Sequence, residues 1–342
     1  MLTRILALRP FCLALLFSFG LLQAEEAKKV AANKERIIQT VRFLSEENFP
    51  RTRTPADDEK TIEYLVKSMT DAGLEVTRGE FVIMQIICDN DFFESSSPFE
   101  DKVMFESQRY TFANIHAFKK GKTNKRIVVG AHYDTVQNSP GADDNASAVA
   151  ALIELAHLLK ETPQLNCDVE LVFYDLEEAG LYGSRYHAKT LKKQKANVVC
   201  MLCMDCVGFY SDEENSQNYP VSGMSLLYGT KGDSLAMVGR AQDTKLLTEA
   251  YKAFQQATTL KLVPFPAPKG PDIVLSRSDH APFWGEGYPA LFFTDTADFR
   301  NKNYHKATDT WDTLDYDRLA QVPVGLYHII LAIDGDGLHV PQ

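Results

Sequence analysis

Apolar residues recur at helical spacing in two segments near the start of the chain. The first is KERIIQTVRFLSEE at 34–47 and the second is DDEKTIEYLVKSMTDAGLEV at 57–76. Within the second segment, Gly73 is expected to end the helix. This spacing predicts two amphipathic helices. Two strand-like runs follow, EFVIMQII at 80–87 and YTFANIHAF at 110–118, with an acidic, serine-rich loop between them. The first third of the chain therefore predicts two helices and then two strands.

From residue 125 the pattern becomes a regular alternation of apolar strands and amphipathic helices. The segments are the strand KRIVVGAHYDTV (125–136), the helix NASAVAALIELAHLLK (145–160), the strand DVELVFYDL (168–176), the helix AGLYGSRYHAKTLKK (179–193) and the strand ANVVCMLCMDCVG (196–208). Such alternation is typical of a parallel sheet that is covered by helices. We therefore predict a three-layer α/β/α sandwich with a mixed, largely parallel central sheet.

The C-terminal pattern continues the same fold. Residues 233–257 predict a helix, the proline-rich residues 264–271 a rigid turn, residues 288–296 a short strand, and residues 315–334 a closing helix. No linker is long or biased enough to separate two domains. We expect residues 25–342 to form a single α/β domain.

The first 24 residues, MLTRILALRPFCLALLFSFGLLQA, have a basic start, an apolar middle and a small-residue end. They predict a signal peptide cleaved after Ala24, a periplasmic or secreted mature protein, and no membrane association after cleavage. Loss of Arg4 and Arg9 changes the net charge from −10 to −12. Such an acidic surplus argues against nucleic acid or an anionic membrane as a partner.

Three of the five cysteines that remain after the leader have the spacing C-x2-C-x2-C, namely Cys200, Cys203 and Cys206. They lie in an apolar, strand-like run, where residues three apart point to opposite faces. We expect buried small hydrophobic residues here rather than a metal or redox site.

Histidines and carboxylates follow the ends of several predicted strands. The candidates are His132, Asp134, Asp143, Asp144, Glu177, Glu178, Asp205 and His305. Ligands of open α/β sheets bind outside the carboxyl ends of the strands. So many acids at one edge would repel each other unless divalent cations balance them. Imidazole and carboxylate without thiolate suit zinc in an open catalytic site.

The adjacent acids Glu177 and Glu178 can serve different purposes in such a site. One carboxylate binds metal, whereas the other stays unbound and takes a proton from a metal-held water. This division of labour explains why a strand would end in two neighbouring acids.

Six motifs now point to a known family. They are GAHYDTV, PGADDNASAVAALIELA, DLEEAGLYGSRYHA, CMDCVG, SDHAPFW and YHKATDTWDTLD, and they extend from about Arg126 to Leu319. In kind and order they resemble the co-catalytic zinc aminopeptidases of metallopeptidase clan MH, of the secreted bacterial leucyl-aminopeptidase type. Before Arg126 the likeness is looser.

The resemblance implies two zinc ions and their ligands. His132 and Asp205 would hold one ion, and Glu178 and His305 would hold the other. Asp144 would bridge the two ions, together with a water or hydroxide.

The resemblance also implies roles for four further residues. Glu177 looks like the general base and acid, and Asp134 is similar to the acid that orients the histidine ligand. Tyr304 resembles a tyrosine that stabilises the oxyanion in some members, and Asp279 resembles a residue near the substrate. The implied activity is hydrolysis of the N-terminal residue from peptides with a free amino group.

Several alternatives stay open. Asp143 competes with Asp144 as the bridge, or it shapes the turn, and Asp175 is expected to be a structural hydrogen-bonding residue. The six other histidines receive no role, although His280 is the most plausible exception.

Rival functions exist on the same fold. Glutaminyl cyclases share it and use one zinc, but they usually carry an insertion after the paired glutamates, where EEAGLYGSR is uninterrupted here. Carboxypeptidase relatives need a basic clamp for the substrate carboxylate. Receptor-like relatives without catalysis typically lack metal ligands, whereas the full set is present in this sequence.

Overall fold

The computed structural model describes residues 30–51, 55–87, 106–267 and 274–336. The predicted leader at residues 1–24 and Cys88 lie outside the described residues. The described residues from 31 onward belong to one compact unit.

Eight strands within the described residues form a single mixed sheet. They are β1 (Glu75–Ile87), β2 (Glu106–Lys119), β3 (Lys125–His132), β4 (Asp168–Tyr174), β5 (Asn197–Met204), β6 (Ser234–Arg240), β7 (Lys261–Ala267) and β8 (Ala290–Thr294). Their spatial order is β1-β2-β4-β3-β5-β8-β6-β7. The four central strands, β4, β3, β5 and β8, are mutually parallel, whereas β2 and β6 pair antiparallel with them.

Helices cover both faces of this sheet. They are α1 (Lys34–Arg42), α2 (Pro55–Asp71), α3 (Ala148–Lys160), α4 (Tyr182–Lys193), α5 (Met224–Tyr228), α6 (Thr244–Ala257), α7 (His280–Gly285), α8 (Tyr316–Leu319) and α9 (Gln321–Asp336). One layer contains α1, α3, α6 and α9, and a second contains α4 and α7. Because both faces are covered, β3 is buried from Ile127 to His132 and reads as a continuous apolar run. The predicted fold class is confirmed.

Two predictions of local structure were wrong. Residues 234–240, SLAMVGR, were predicted as the start of a helix but form β6, because a short apolar run has no periodicity of its own and the following helix dominates the pattern. Residues 264–267, predicted as a rigid turn, belong to β7. Since β7 pairs only with β6, Pro264 and Pro266 lie in an edge strand, where a missing N–H is tolerated.

The described cysteines are buried, and Cys206 Sγ lies close to potential ligand atoms of Asp144 and Asp205. Cys200, Cys203 and Cys206 are buried free thiols, as is Cys167. Among the described residues, every helix is too short or too polar to cross a bilayer.

Candidate metal centre

The parallel strands place the predicted side chains at one edge of the sheet. His132 is the last residue of β3, and Asp205 directly follows β5. Glu177 and Glu178 follow the end of β4, and His305 lies in the loop that follows β8. Neighbouring parallel strands end at the same edge, so chain segments far apart in sequence meet here.

Asp144 reaches the same place from an irregular turn, Ala142–Ser147, that leads into α3. The next residue, Asn145, donates from Nδ2 to the carbonyl of Met204 at 3.2 Å and accepts the backbone N–H of Cys206 at 3.1 Å. The peptide bond between Asp144 and Asn145 is cis. The two hydrogen bonds of Asn145 attach the turn to the end of β5, beside Asp205.

The predicted ligands and the predicted base form two groups of three, and Asp144 and Asp205 also form a group with Cys206. In each group the potential ligand atoms lie within 4.8 Å of one another, and the members are His132, Glu177 and Asp205 in the first group and Asp144, Glu178 and His305 in the second. In the first, His132 Nε2 is 3.6 Å from Asp205 Oδ1. In the second, His305 Nε2 is 3.2 Å from Glu178 Oε2. The five predicted ligands and the predicted base therefore come together.

Asp144 lies between the two groups. Its Oδ1 is 3.2 Å from His132 Nε2, and its Oδ2 is 3.0 Å from His305 Nε2. The neighbouring Asp143 is engaged elsewhere, because its carboxylate accepts hydrogen bonds from Gly208 N at 2.9 Å and Asn301 Nδ2 at 2.8 Å. Of the two acids left open by the sequence, Asp144 has the position that a bridging ligand requires.

The donor atoms fit a pair of divalent cations. Nε2 of His132, Oδ2 of Asp144 and Oε1 of Glu178 are buried, yet make no hydrogen bond within the described residues. Buried polar atoms without partners are costly, and so are four carboxylates crowded together (Asp144, Glu177, Glu178 and Asp205). Two divalent cations would give these atoms partners and offset the four negative charges. Zinc suits the mixture of imidazole and carboxylate.

The crowding shifts the pKa values of the group itself. Burial raises the pKa of Glu178 to about 7, with the Asp144 charge adding to the effect. Burial likewise raises the pKa of Glu177 well above its usual value. Burial alone would lower the pKa of His305, but the facing carboxylates of Asp144 and Glu178 raise it to about 10.

Asp134 is close to His132, but its carboxylate makes its hydrogen bonds elsewhere. The two carboxylate oxygens accept the backbone N–H groups of Glu177 at 3.0 Å and Glu178 at 3.1 Å. His132 Nδ1 is 3.1 Å from the backbone oxygen of Asp134 and 3.5 Å from its Oδ1. Asp134 thus holds the paired glutamates through its side chain and contacts the histidine through its main chain.

Tyr304 and Asp279 both lie beside the centre. The Tyr304 ring stacks on His305 with centroids 3.9 Å apart, and its hydroxyl accepts a hydrogen bond from Arg277 Nη2 at 3.3 Å. Asp279 is fully buried, and both of its carboxylate oxygens lack a hydrogen bond within the described residues. Their predicted roles stay predictions.

Left-handed backbone occurs at three positions in and next to the centre. Leu176, Cys206 and His305 have φ values of 54°, 55° and 59°. Leu176 precedes Glu177, and Cys206 follows Asp205. Side-chain-bearing residues rarely adopt this conformation, and such strain clusters at functional sites.

A cavity of about 340 Å³ opens beside Asp205 and Tyr304. Alternate residues of β6, Ser234, Ala236 and Val238, line it, as strand geometry requires. The remaining lining combines the charged residues Arg277, Asp298 and Arg300 with apolar ones that include Val221, Met224, Val263, Phe265, Leu275 and Phe292.

A separate group of potential ligands, His116, Glu170 and His187, lies outside this centre. Glu170 accepts from Arg126 Nη1 at 2.8 Å and lies 2.8 Å and 3.3 Å from ring nitrogens of His116 and His187. The carboxylate is already partnered, and the guanidinium would repel a cation. We interpret this cluster as a buried hydrogen-bonding network.

The sequence did not single out three residues that support the centre. Asp309 accepts backbone N–H groups of the Asp144 turn. Arg51, fully buried, donates to four backbone carbonyls, those of Tyr133, Leu44, Pro140 and Gly141. Arg277 pairs with Asp298 at 2.8 Å and contacts Tyr304. Asp309 lies inside the motif YHKATDTWDTLD, but the sequence alone does not indicate that its role differs from that of the neighbouring residues.

Comparison with known sequences identifies the class of protein. The profile of peptidase family M28 matches residues 114–328, well over half of the chain. The chain therefore belongs to peptidase family M28, and the resemblance to the zinc aminopeptidases of clan MH is confirmed.

Two curated relatives are similar over much of the chain. The uncharacterized protein YfbL of Escherichia coli is 32% identical over 314 residues, which cover 87% of this chain and 88% of YfbL. The probable lipoprotein aminopeptidase LpqL of Mycobacterium tuberculosis is 28% identical over 69% of this chain. The match spans only 48% of LpqL.

Solved structures share the fold. The aminopeptidase of Aneurinibacillus sp. strain AM-1 superposes with a TM-score of 0.67 at 18% identity, covering 89% of this chain and 94% of that one. The glutaminyl cyclase of Fimbriiglobus ruber superposes with a TM-score of 0.63 at 21% identity, covering 89% and 97%. At these identities the likeness establishes the fold alone.

The metal centre predicts that zinc binding releases protons. In the cation-free protein His305 has a pKa of about 10 and is protonated at neutral pH. A metal must displace that proton, so the apparent affinity should rise by about tenfold per pH unit for each proton released. Isothermal titration calorimetry with Zn²⁺ at pH 7.5, in two buffers of different ionisation enthalpy, measures the number of protons released on binding. Heats that do not depend on the buffer would contradict the prediction, and His305→Ala should release fewer protons.

Proposed function

We propose that this chain is a zinc-dependent aminopeptidase that removes N-terminal residues from peptides with a free amino group. The observation that carries the proposal is the pair of ligand groups joined through Asp144, with Glu177 in the first group. Membership of peptidase family M28 supports peptide hydrolysis as the reaction class. The predicted leader supports action in a periplasm or outside the cell.

The residues divide the chemical work. His132, Asp144, Glu178, Asp205 and His305 would hold two zinc ions, which when bound supply Lewis acidity and a nucleophilic water at neutral pH. Glu177 lies beside His132 and Asp205 in the first group, and we assign it the role of accepting the proton of the attacking water and passing it to the leaving amine. Its raised pKa suits a group that takes up and returns a proton.

The apolar cavity supports a side-chain preference. It adjoins Asp205 and Tyr304, so a substrate held at the metal centre could place its first side chain there. The charged group of a substrate side chain would lose hydrating water on contact with Val238, Val263 and Phe292. We propose a preference for leucine-like and aromatic first residues.

The rival functions have less support. A glutaminyl cyclase shares the fold, but the resemblance implies one zinc for such enzymes, whereas we propose a second ion held by His132 and Asp205, which lie 3.6 Å apart. A carboxypeptidase needs a basic clamp. Arg277 contacts the Tyr304 hydroxyl, but its charge is offset by Asp298.

A substrate comparison tests the proposal. The zinc-loaded protein should hydrolyse leucine p-nitroanilide and leave N-acetyl-leucine p-nitroanilide intact, because the blocked amine cannot approach the metals and acids. Hydrolysis of both anilides, or release of C-terminal residues from a blocked peptide, would contradict the proposal. Pyroglutamate formation from a glutaminyl peptide would identify a cyclase.

The adjacent glutamates provide a matched pair of variants. Glu177→Gln should keep its zinc and lower kcat by about 10²–10⁴-fold, since only the proton carrier is lost. Glu178→Gln should lose zinc, since a ligand is lost. Metal analysis by mass spectrometry and kcat for leucine p-nitroanilide measure the two effects. If Glu177→Gln retains full turnover, Glu177 is not the base.

Filling the cavity should change specificity selectively. Ala236→Phe adds a ring to the cavity wall and should lower kcat/KM for leucyl and phenylalanyl substrates by roughly 10–200-fold. Alanyl p-nitroanilide serves as the internal control, because its methyl group needs little of the cavity. An equal loss for all three substrates would show that the cavity does not accommodate the first side chain.

A further inference from the structure

Two of the candidate ligands, Asp144 and His305, lie in irregular segments that do not directly continue a central strand. Asp144 lies in the irregular turn Ala142–Ser147, with φ −108° and ψ 87°, and His305 lies in the loop between β8 and α8. Their ligand atoms nevertheless approach to 3.0 Å, Oδ2 of Asp144 facing Nε2 of His305. Other contacts must therefore fix the distance between these two segments.

Asp309 makes the principal contacts between them. It is fully buried and follows His305 by four residues. Its Oδ1 accepts the backbone N–H of Asp143 at 3.0 Å, and its Oδ2 accepts that of Asp144 at 3.2 Å. Its backbone carbonyl accepts the N–H of Ala142 at 3.2 Å. One residue of the His305 loop thus binds three consecutive amides of the Asp144 turn.

Two further hydrogen bonds join the same segments. Asn301 donates from Nδ2 to Oδ2 of Asp143 at 2.8 Å, and Ser139 Oγ donates to the carbonyl of Lys306 at 3.2 Å. All five contacts run between residues 139–144 and residues 301–309. The ligand-bearing turn and the ligand-bearing loop are therefore built as one unit.

Arg51 holds the same turn from its other side. Its guanidinium donates to the carbonyls of Pro140 at 3.0 Å and Gly141 at 2.9 Å. Arg51 donates to the carbonyls while Asp309 accepts from the amides, so the main chain leading to Asp144 is held from two sides.

We infer that Asp309, supported by Asn301, is a positioning residue that sets the spacing of Asp144 and His305 and thereby the zinc affinity of the centre. The inference rests on the proposed metal function. Asp309 touches neither ligand side chain, so it acts only through the backbone of the turn. It is matched to this task because a carboxylate offers one acceptor oxygen to each of the two amides, whereas an amide side chain has only one acceptor oxygen.

Asp309→Asn tests the inference. One carboxylate oxygen becomes an N–H donor that faces a backbone N–H about 3 Å away, so the turn must shift. We expect zinc affinity, measured by competition with a fluorescent chelator, to fall by roughly 10–100-fold. The visible absorption spectrum of the Co²⁺-substituted protein should also change, because it reports ligand geometry rather than turnover.

Glu170→Gln is the matched control. Glu170 is also a buried carboxylate with several donors, but it belongs to the network of His116, His187 and Arg126. Its loss should lower the melting temperature of the metal-free protein and leave zinc affinity and the Co²⁺ spectrum unchanged. A general loss of stability is thereby separated from a loss of ligand positioning.

The outcomes distinguish this inference from the proposed function. If the wild-type protein binds no zinc, the proposed function fails. If wild type binds zinc and Asp309→Asn binds it equally well, with an unchanged Co²⁺ spectrum, the inference is wrong and the proposed function stands. Should Asp309→Asn not fold, Asn301→Ala decides: a smaller loss of affinity supports the inference, and wild-type affinity overturns it.

Discussion

The repulsion among buried carboxylates is the constraint on which the rest of this structure depends. Four acids share the two ligand groups, and Asp134, Asp175, Asp279 and Asp309 lie buried around them. A like charge in a low-dielectric site costs several kcal/mol unless a partner offsets it. In the described residues the partners are backbone amides for Asp134 and Asp309, whereas His132 Nε2, Asp144 Oδ2 and Glu178 Oε1 make no hydrogen bond. These atoms without a hydrogen bond face one another, so two cations between them would supply the missing partners.

The fold brings this repulsion about by its topology. Four parallel strands end at one edge, and their neighbouring loops therefore converge whatever their sequence separation. The strands alone do not supply the precision that a metal site needs, because Asp144 and His305 lie outside them. Side-chain to backbone hydrogen bonds provide it: Asn145 ties the turn to β5, Asp134 ties the glutamates to β3, and Asp309 ties the turn to the last loop. Left-handed backbone at Leu176, Cys206 and His305 is held in place by the same packing.

Much of this could be predicted from the sequence, for identifiable reasons. The alternation from residue 125 to 208 gave the central strands because buried parallel strands and amphipathic helices have different periods. The ligands His132, Asp205 and His305 could be placed because each follows a strand whose end is visible as an apolar run. The choice of Asp144 over Asp143 came from motif likeness, and the hydrogen bonds of Asp143 to Gly208 and Asn301 now give it a geometric reason. The strand β6 was missed because a seven-residue apolar run beside a strong helix carries no separate signal.

Other features could not be predicted, because they depend on contacts between distant segments. Nothing in the one-dimensional pattern indicates that the carboxylate of Asp134, 3.5 Å from His132 Nδ1, also accepts the backbone N–H groups of Glu177 and Glu178. Arg51 and Asp309 look like ordinary loop residues until the turn that they grip from two sides is seen.

The most direct test of the central claim is a crystal structure of the zinc-soaked protein, with anomalous difference maps collected on both sides of the zinc absorption edge. The account predicts two anomalous peaks, one beside His132 and Asp205 and one beside Glu178 and His305, with Asp144 between them. Maps without a peak at this edge of the sheet, at a zinc concentration that saturates the protein in solution, would contradict it.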